Sequence, residues 1–145
     1  MSAGSGHDGA LWSFAAAILY QSRTVTSPVT SAGDDEQRGM KRVYVAGPYS
    51  LGNVAANVRA AYQMASRLAD AGCAPFVPHH THFWHLMFPR PYEEWLTLDL
   101  AFLSCCDAVL RLPGESAGAD GEVEQARRLG IPVFVDLDRL LQELR

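Results

Sequence analysis

From Met40 onward the chain alternates short apolar runs with longer segments of helical period, and no other feature limits its possible folds so strongly. "RVYVAG" (42–47) is a β-rich run closed by Gly47-Pro48. "VAANVRAAYQMASRLADAG" (54–72) then carries apolar residues at helical spacing up to a terminal glycine. "APFVPH", "DAVLRL" and "IPVFVD" read as further strands, and "YEEWLTLDLAFLSC", "GADGEVEQARRLG" and "LDRLLQEL" as helices. Strands that are apolar throughout, in place of a strict in-out alternation, suit a parallel sheet covered on both faces. The expected fold class is α/β, a three-layer sandwich around a mostly parallel sheet of four to five strands.

With 145 residues and 48% hydrophobic content, the chain has material for one such domain. Upstream of Met40 the pattern is lost. "ALWSFAAAILY" (10–20) has no Lys or Arg before it to act as a secretory n-region, and 21–39 is polar and rich in Ser, Thr and Gly. Residues 1–39 are therefore expected to form a flexible extension with one short helix over 10–20, and 40–145 the working domain. A net charge of -4 argues against a nucleic-acid-coating surface. No apolar run approaches the roughly 20 residues that span a bilayer. Three cysteines, two of them the adjacent Cys105 and Cys106, make no paired framework and read as reduced thiols of a cytoplasmic protein.

In open parallel sheets ligands sit beyond the carboxyl ends of the strands. That directs attention to three loops, 47–53, 78–85 and 112–121. The first, "GPYSLGN", lacks GxGxxG and the P-loop pattern, but Gly47, Tyr49 and Ser50 make a small hydroxyl-bearing turn that can meet a sugar or an anion. The second, "PHHTHFWH", offers His79, His80, His82 and His85. Without HExxH or CxxC it reads as a source of hydrogen bonds and stacking, His79 and His80 foremost, and no metal site is expected.

The third contains "GESAGADGEVEQA" (114–126), which puts two glutamates two positions apart. On a helix, Glu122 shares a face with Ala126 and Leu129, the side turned to the sheet, whereas Glu124 shares one with Arg127 and Arg128, as on a solvated surface. Glu122 also falls in the first helical turn, where the helix dipole favours its anion. In the preceding helix Trp95, Leu96, Asp99, Phe102 and Leu103 share one face. Asp99 thus points with large apolar groups, a setting that raises a carboxyl pKa and suits proton transfer. A capping role is the structural alternative for Asp99. Two carboxylates from adjacent elements at the strand ends suggest cleavage of a glycosidic bond.

"YVAGPYS", "VPHHTH", "YEEWLTLDLAFLSCCDAVL", "SAGADGEVEQA" and "GIPVF", in this order, resemble the nucleoside 2-deoxyribosyltransferase superfamily, which includes 2'-deoxynucleoside 5'-monophosphate N-glycosidases. The resemblance covers about residues 42–135 and implies a flavodoxin-like/Rossmann-like fold. By resemblance, Glu122 is the nucleophile that forms a glycosyl-enzyme intermediate, and Asp99 handles the proton of the leaving base. Tyr44 or Tyr49 orients the catalytic glutamate, and Ser116 with Gly118 faces the substrate. Ser116 stands where the transferases carry an acidic residue and the monophosphate hydrolases a phosphate-holding serine, and by that resemblance it favours a nucleotide substrate. The first loop departs from those hydrolases: Pro48, Tyr49 and Ser50 replace their Ser and Arg, and no arginine follows before Arg59. The expected activity is cleavage or transfer at the N-glycosidic bond of a nucleoside or nucleoside 5'-monophosphate, with no cofactor. No nucleic acid or membrane partner is expected, and the expected assembly is a homodimer or higher homo-oligomer. A non-catalytic nucleotide-sensing module on the same fold is the alternative.

Overall fold

The computed structural model describes residues 39–145. The extension expected upstream of Met40, with its short helix over 10–20, lies outside the described residues apart from Gly39. In chain order the elements are β1 (Arg42–Ala46), α1 (Val54–Asp70), β2 (Ala74–Phe76), a 3-10 turn (Pro78–His80), α2 (Thr81–Met87) and α3 (Tyr92–Leu103). Then follow β3 (Ala108–Arg111), α4 (Ala117–Arg128), β4 (Val133–Phe134) and α5 (Leu137–Glu143). The four strands form one sheet in the order β2-β1-β3-β4, and every neighbouring pair is parallel. This is the flavodoxin-like arrangement, with β1 and β3 side by side where the strand order reverses.

Alternate residues of β1 feed two cores. Val43 and Val45 pack with Ala61 and Leu68 of α1 and Leu137 and Leu140 of α5; Tyr44 and Ala46 pack with Leu103 of α3 and Ala119 and Ala126 of α4. Both faces are covered, so the strands carry no polar side. Leu68 and Leu140 are completely buried, each contributing about 1.5–3 kcal/mol relative to an exposed position. Side-chain caps fix three helix starts: Asn53 accepts from the Ala56 amide, Ser116 from Ala119 and Asp136 from Arg139.

Three details differ from the sequence expectation. The histidine-bearing segment is not a loop: it winds into the 3-10 turn and α2, whose Phe83, Leu86 and Met87 are exposed. β4 pairs over only two residues, because Val135 already projects into solvent. Phe102 and Leu129 lie at the margins of their apolar faces and are 50% and 47% exposed.

The turn from β3 into α4 passes directly under the first loop. Gly114 has φ +112°, and a Cβ there would lie 2.8 Å from Pro48 Cγ. Gly52 also has a positive φ, +80°, but faces open space. Gly52→Ala is accordingly expected to cost about 1 kcal/mol from backbone strain alone. Gly114→Ala is expected to cost more, roughly 1–3 kcal/mol with the collision added. Denaturant unfolding of the two variants checks this; equal losses would show that Pro48 gives way freely.

Candidate active site

At the carboxyl ends of β1 and β3 the first loop, the 3-10 turn, α2, α3 and the start of α4 surround a cavity of about 650 Å³, a volume suited to a small-molecule ligand. Gly47, Tyr49 and Ser50 line it from the first loop, His79 from the turn, Trp95 and Asp99 from α3, and Ser116, Gly118 and Glu122 from α4. A second opening, about 630 Å³ beside Gln63, Met64 and Arg67 of α1, contains neither carboxyl and no histidine.

Glu122 is 7% exposed. It reaches inward from the second turn of α4, not the first turn expected from the sequence, because the helix already starts at Ala117; the hydroxyl of Tyr44, rising from the middle of β1, donates to its Oε1 at 2.8 Å. Burial pushes the Glu122 carboxyl up to about 7, and Asp99 pushes the same way; the Tyr44 hydrogen bond and the charge of Arg111 pull it down. Burial and the two carboxylates hold Tyr44 itself far above its ordinary value, so it remains a donor. Tyr44 stands behind Glu122 and is not part of the cavity wall.

Asp99 sits opposite on α3 with its Oδ1 buried and unpartnered within the protein. Burial alone pushes its carboxyl up to about 7. Nothing opposes that rise, whereas Glu122 has both a donor and a cation favouring its anion. Glu122 loses more water than Asp99, so the two carboxyls reach about the same value, 7, by different balances of burial and partners. Glu124, by contrast, is exposed and pairs with Arg128 at 3.3 Å.

The histidines act mainly as struts. His79 donates from Nε2 to the Pro48 carbonyl at 2.8 Å, and burial lowers its pKa, against the effect of that bond, so the ring is neutral. The Tyr49 hydroxyl meets His82 Nδ1 at 2.7 Å, which ties the first loop to α2. Trp95 Nε1 donates to His85 Nδ1 at 2.8 Å. His80, expected at the ligand, is turned away: its Nδ1 bonds the Val77 carbonyl and its ring stands edge-on to Phe76. Consecutive residues of a 3-10 turn diverge by about a third of a revolution, so His79 and His80 do not face the same cavity. Tyr49, offered as an alternative orienter of the glutamate, is engaged by His82 instead.

Sequence reasoning missed two groups. Arg111, at the end of β3, bonds the carbonyls of Leu112 and Gly114 and forks onto Asp120 of α4 at 2.9 and 3.3 Å, with its side chain only 13% exposed. It fixes the loop that carries Ser116 and the helix that carries Glu122. Tyr92 lines the cavity with Trp95, Leu96 and Asp99. The spacing i, i+3, i+4, i+7 makes one stripe of α3; extending the Asp99 face back by two turns would have found Tyr92. Arg90 also reaches the cavity, but its guanidinium pairs with Glu94 at 2.9 Å.

Residues 41–136 match a family model described as a domain of unknown function, DUF7768. No curated protein matches the chain. Among solved structures, a 2-deoxyribosyltransferase from the psychrotolerant bacterium Bacillus psychrosaccharolyticus is similar over 63% of this chain and 69% of its own, with 24% sequence identity and a TM-score of 0.46.

The environment of Asp99 has a consequence for stability. A carboxyl whose pKa rises on folding binds its proton more tightly in the folded protein. Its destabilising effect is absent below the unfolded value of 3.8, grows as pH rises, and is complete above about 7. Asp99→Asn, which stays neutral, is therefore expected to raise the melting temperature at pH 8, with a gain that shrinks toward pH 4. Thermal unfolding across that range tests the sign; a pH-independent difference would refute it.

Proposed function

The chain belongs to the DUF7768 family, and from the cavity just described we propose that it breaks the N-glycosidic bond of a nucleoside or nucleoside 5'-monophosphate by way of Glu122. The observation that carries this reading is the unlike pair of carboxyls in one cavity: Glu122, buried and held by the Tyr44 hydroxyl, and Asp99, partly buried with an unpartnered Oδ1. A module that only sensed nucleotides would have no use for two desolvated acids. The sequence resemblance to the nucleoside deoxyribosyltransferases supplies the substrate class.

In the first step a Glu122 carboxylate oxygen attacks the anomeric carbon, and the bond from that carbon to the base nitrogen breaks. The bonding electrons leave with the base, and Asp99 delivers the proton that neutralises it. Water or a second base then attacks the anomeric carbon of the glycosyl ester. Glu122 departs as carboxylate and Asp99 takes up the proton, returning the site to its initial state.

Charge supports the unphosphorylated nucleoside as the better donor. Asp99, Glu115 and Glu122 all line the cavity, while Arg90 is already paired with Glu94. Ser116 accepts from the Ala119 amide at 3.2 Å, which leaves its hydroxyl hydrogen available to a ligand oxygen.

Incubation with a panel of nucleosides and monophosphates, with and without an acceptor base, is expected to release or exchange base. Glu122→Ala is expected to abolish this, whereas Glu124→Ala, altered only on the surface, keeps most of it. Equal activities of the two variants would overturn the assignment. Tyr44→Phe removes the donor that favours the Glu122 anion, so the acidic limb of the kcat/KM profile is expected to move to higher pH. Turnover near neutrality is expected to fall about ten- to a hundredfold, the equivalent of one hydrogen bond to a charged group. An unmoved limb would show that Tyr44 does not tune Glu122.

A further inference from the structure

In and behind the cavity wall, Tyr44, Tyr49 and Trp95 spend their polar atoms on the protein. Tyr44 donates to Glu122, Trp95 donates to His85, and Tyr49 meets His82. Tyr92 differs, and its hydroxyl makes none of these bonds. It lies in the cavity against the first turn of α4, where a Cβ on Gly118 would come within 2.9 Å of it. Glycine weakens a helix relative to alanine, so its presence at a helical position calls for a local reason, and clearance for the Tyr92 hydroxyl supplies one. Burial and the nearby Glu122 and Asp99 carboxyls raise the pKa of Tyr92, so the hydroxyl stays protonated and within electrostatic reach of both acids.

We infer that Tyr92 is a substrate-contacting residue whose hydroxyl donates to a hydroxyl oxygen on the sugar ring, with Gly118 providing the space it occupies. The inference rests on the glycosidic reading, because the position along α4 decides which part of the substrate Tyr92 meets. Gly118 and Glu122 are four residues apart on one helix face, roughly 5–6 Å. If Glu122 meets the anomeric carbon, a group one turn earlier meets the far side of the same sugar ring and not the base. Ser116, two residues before Gly118, also lines the cavity.

The test is a double-mutant cycle of Tyr92→Phe and Gly118→Ala, read as kcat/KM for base release. Tyr92→Phe loses one neutral hydrogen bond and is expected to lower kcat/KM for nucleosides about three- to tenfold. Gly118→Ala displaces the hydroxyl and is expected to cost at least as much in the wild-type background. In Tyr92→Phe it is expected to cost little more, because the colliding atom is gone. Equal losses from Gly118→Ala in both backgrounds, or no loss in Tyr92→Phe, would overturn the inference while leaving the glycosidic reading intact. A loss confined to monophosphates would overturn it too, because the contacted oxygen would then belong to the phosphate. Calorimetry with nucleosides, comparing Glu122→Gln with Glu122→Gln/Tyr92→Phe, separates the two ideas. If the unaltered protein releases no base, weaker binding in the double variant than in Glu122→Gln would uphold the contact and defeat the reaction. Absence of both binding and turnover would defeat both.

Discussion

The hydrogen bond from Tyr44 to Glu122 ties the middle of the sheet to the helix that closes the cavity. It joins residues 78 apart in sequence, and it is made where water is excluded. A carboxylate taken out of water needs a donor that cannot drift. The Tyr44 ring meets that need, since it is completely buried and stacks on Phe76, which stacks in turn on Phe102. This aromatic column runs from β1 through β2 to α3. With the hydroxyl fixed, α4 has one acceptable starting point, and the Ser116 cap and the Arg111 fork hold it there.

The two acids differ by what surrounds them, not by type. Glu122 has a donor at contact distance and a cation behind it; Asp99 has apolar neighbours and an unsatisfied oxygen. Glu122 is the more deeply buried of the two, so its partners offset a larger loss of water, and both carboxyls are raised to about 7. The wall around them is braced by imidazoles, His79 and His82 engaged with the first loop and His85 with α3. Their bonds join the first loop, the 3-10 turn, α2 and α3 before any ligand arrives. That preformed shape reduces the ordering that binding would otherwise demand.

The strands were readable because both sheet faces are buried, which leaves no polar alternation to confuse their apolar runs. Glu122 and Glu124 could be told apart because the face of a helix repeats every three to four residues, a purely local property. Other features were not local. The partner of Glu122 is 78 residues away, and the choice between Tyr44 and Tyr49 depends on strand register. Arg111 looked like the polar end of a strand, and only the turn that follows shows what its guanidinium organises. α2 was hidden by its own composition: its histidines suggested a loop, and its large apolar residues face outward, so no buried stripe announced a helix. Phe102 and Leu129 show the complementary error, in which membership of an apolar face was taken as burial although each lies at its rim.

The strand order has a consequence for biosynthesis. β1 lies at the centre of the sheet yet is the first element of the domain to be made; β2 reaches it from one side, and β3 reaches the other only once residues 108–111 exist. Until then a nascent chain carries a largely apolar strand with an open edge, the kind of segment that recruits strands from other chains. Parallel crossovers are slow to close because the connecting loop must be ordered first. The last-made half of the domain therefore decides when the first-made strand is safe, and a pause in translation before residue 108 prolongs its exposure.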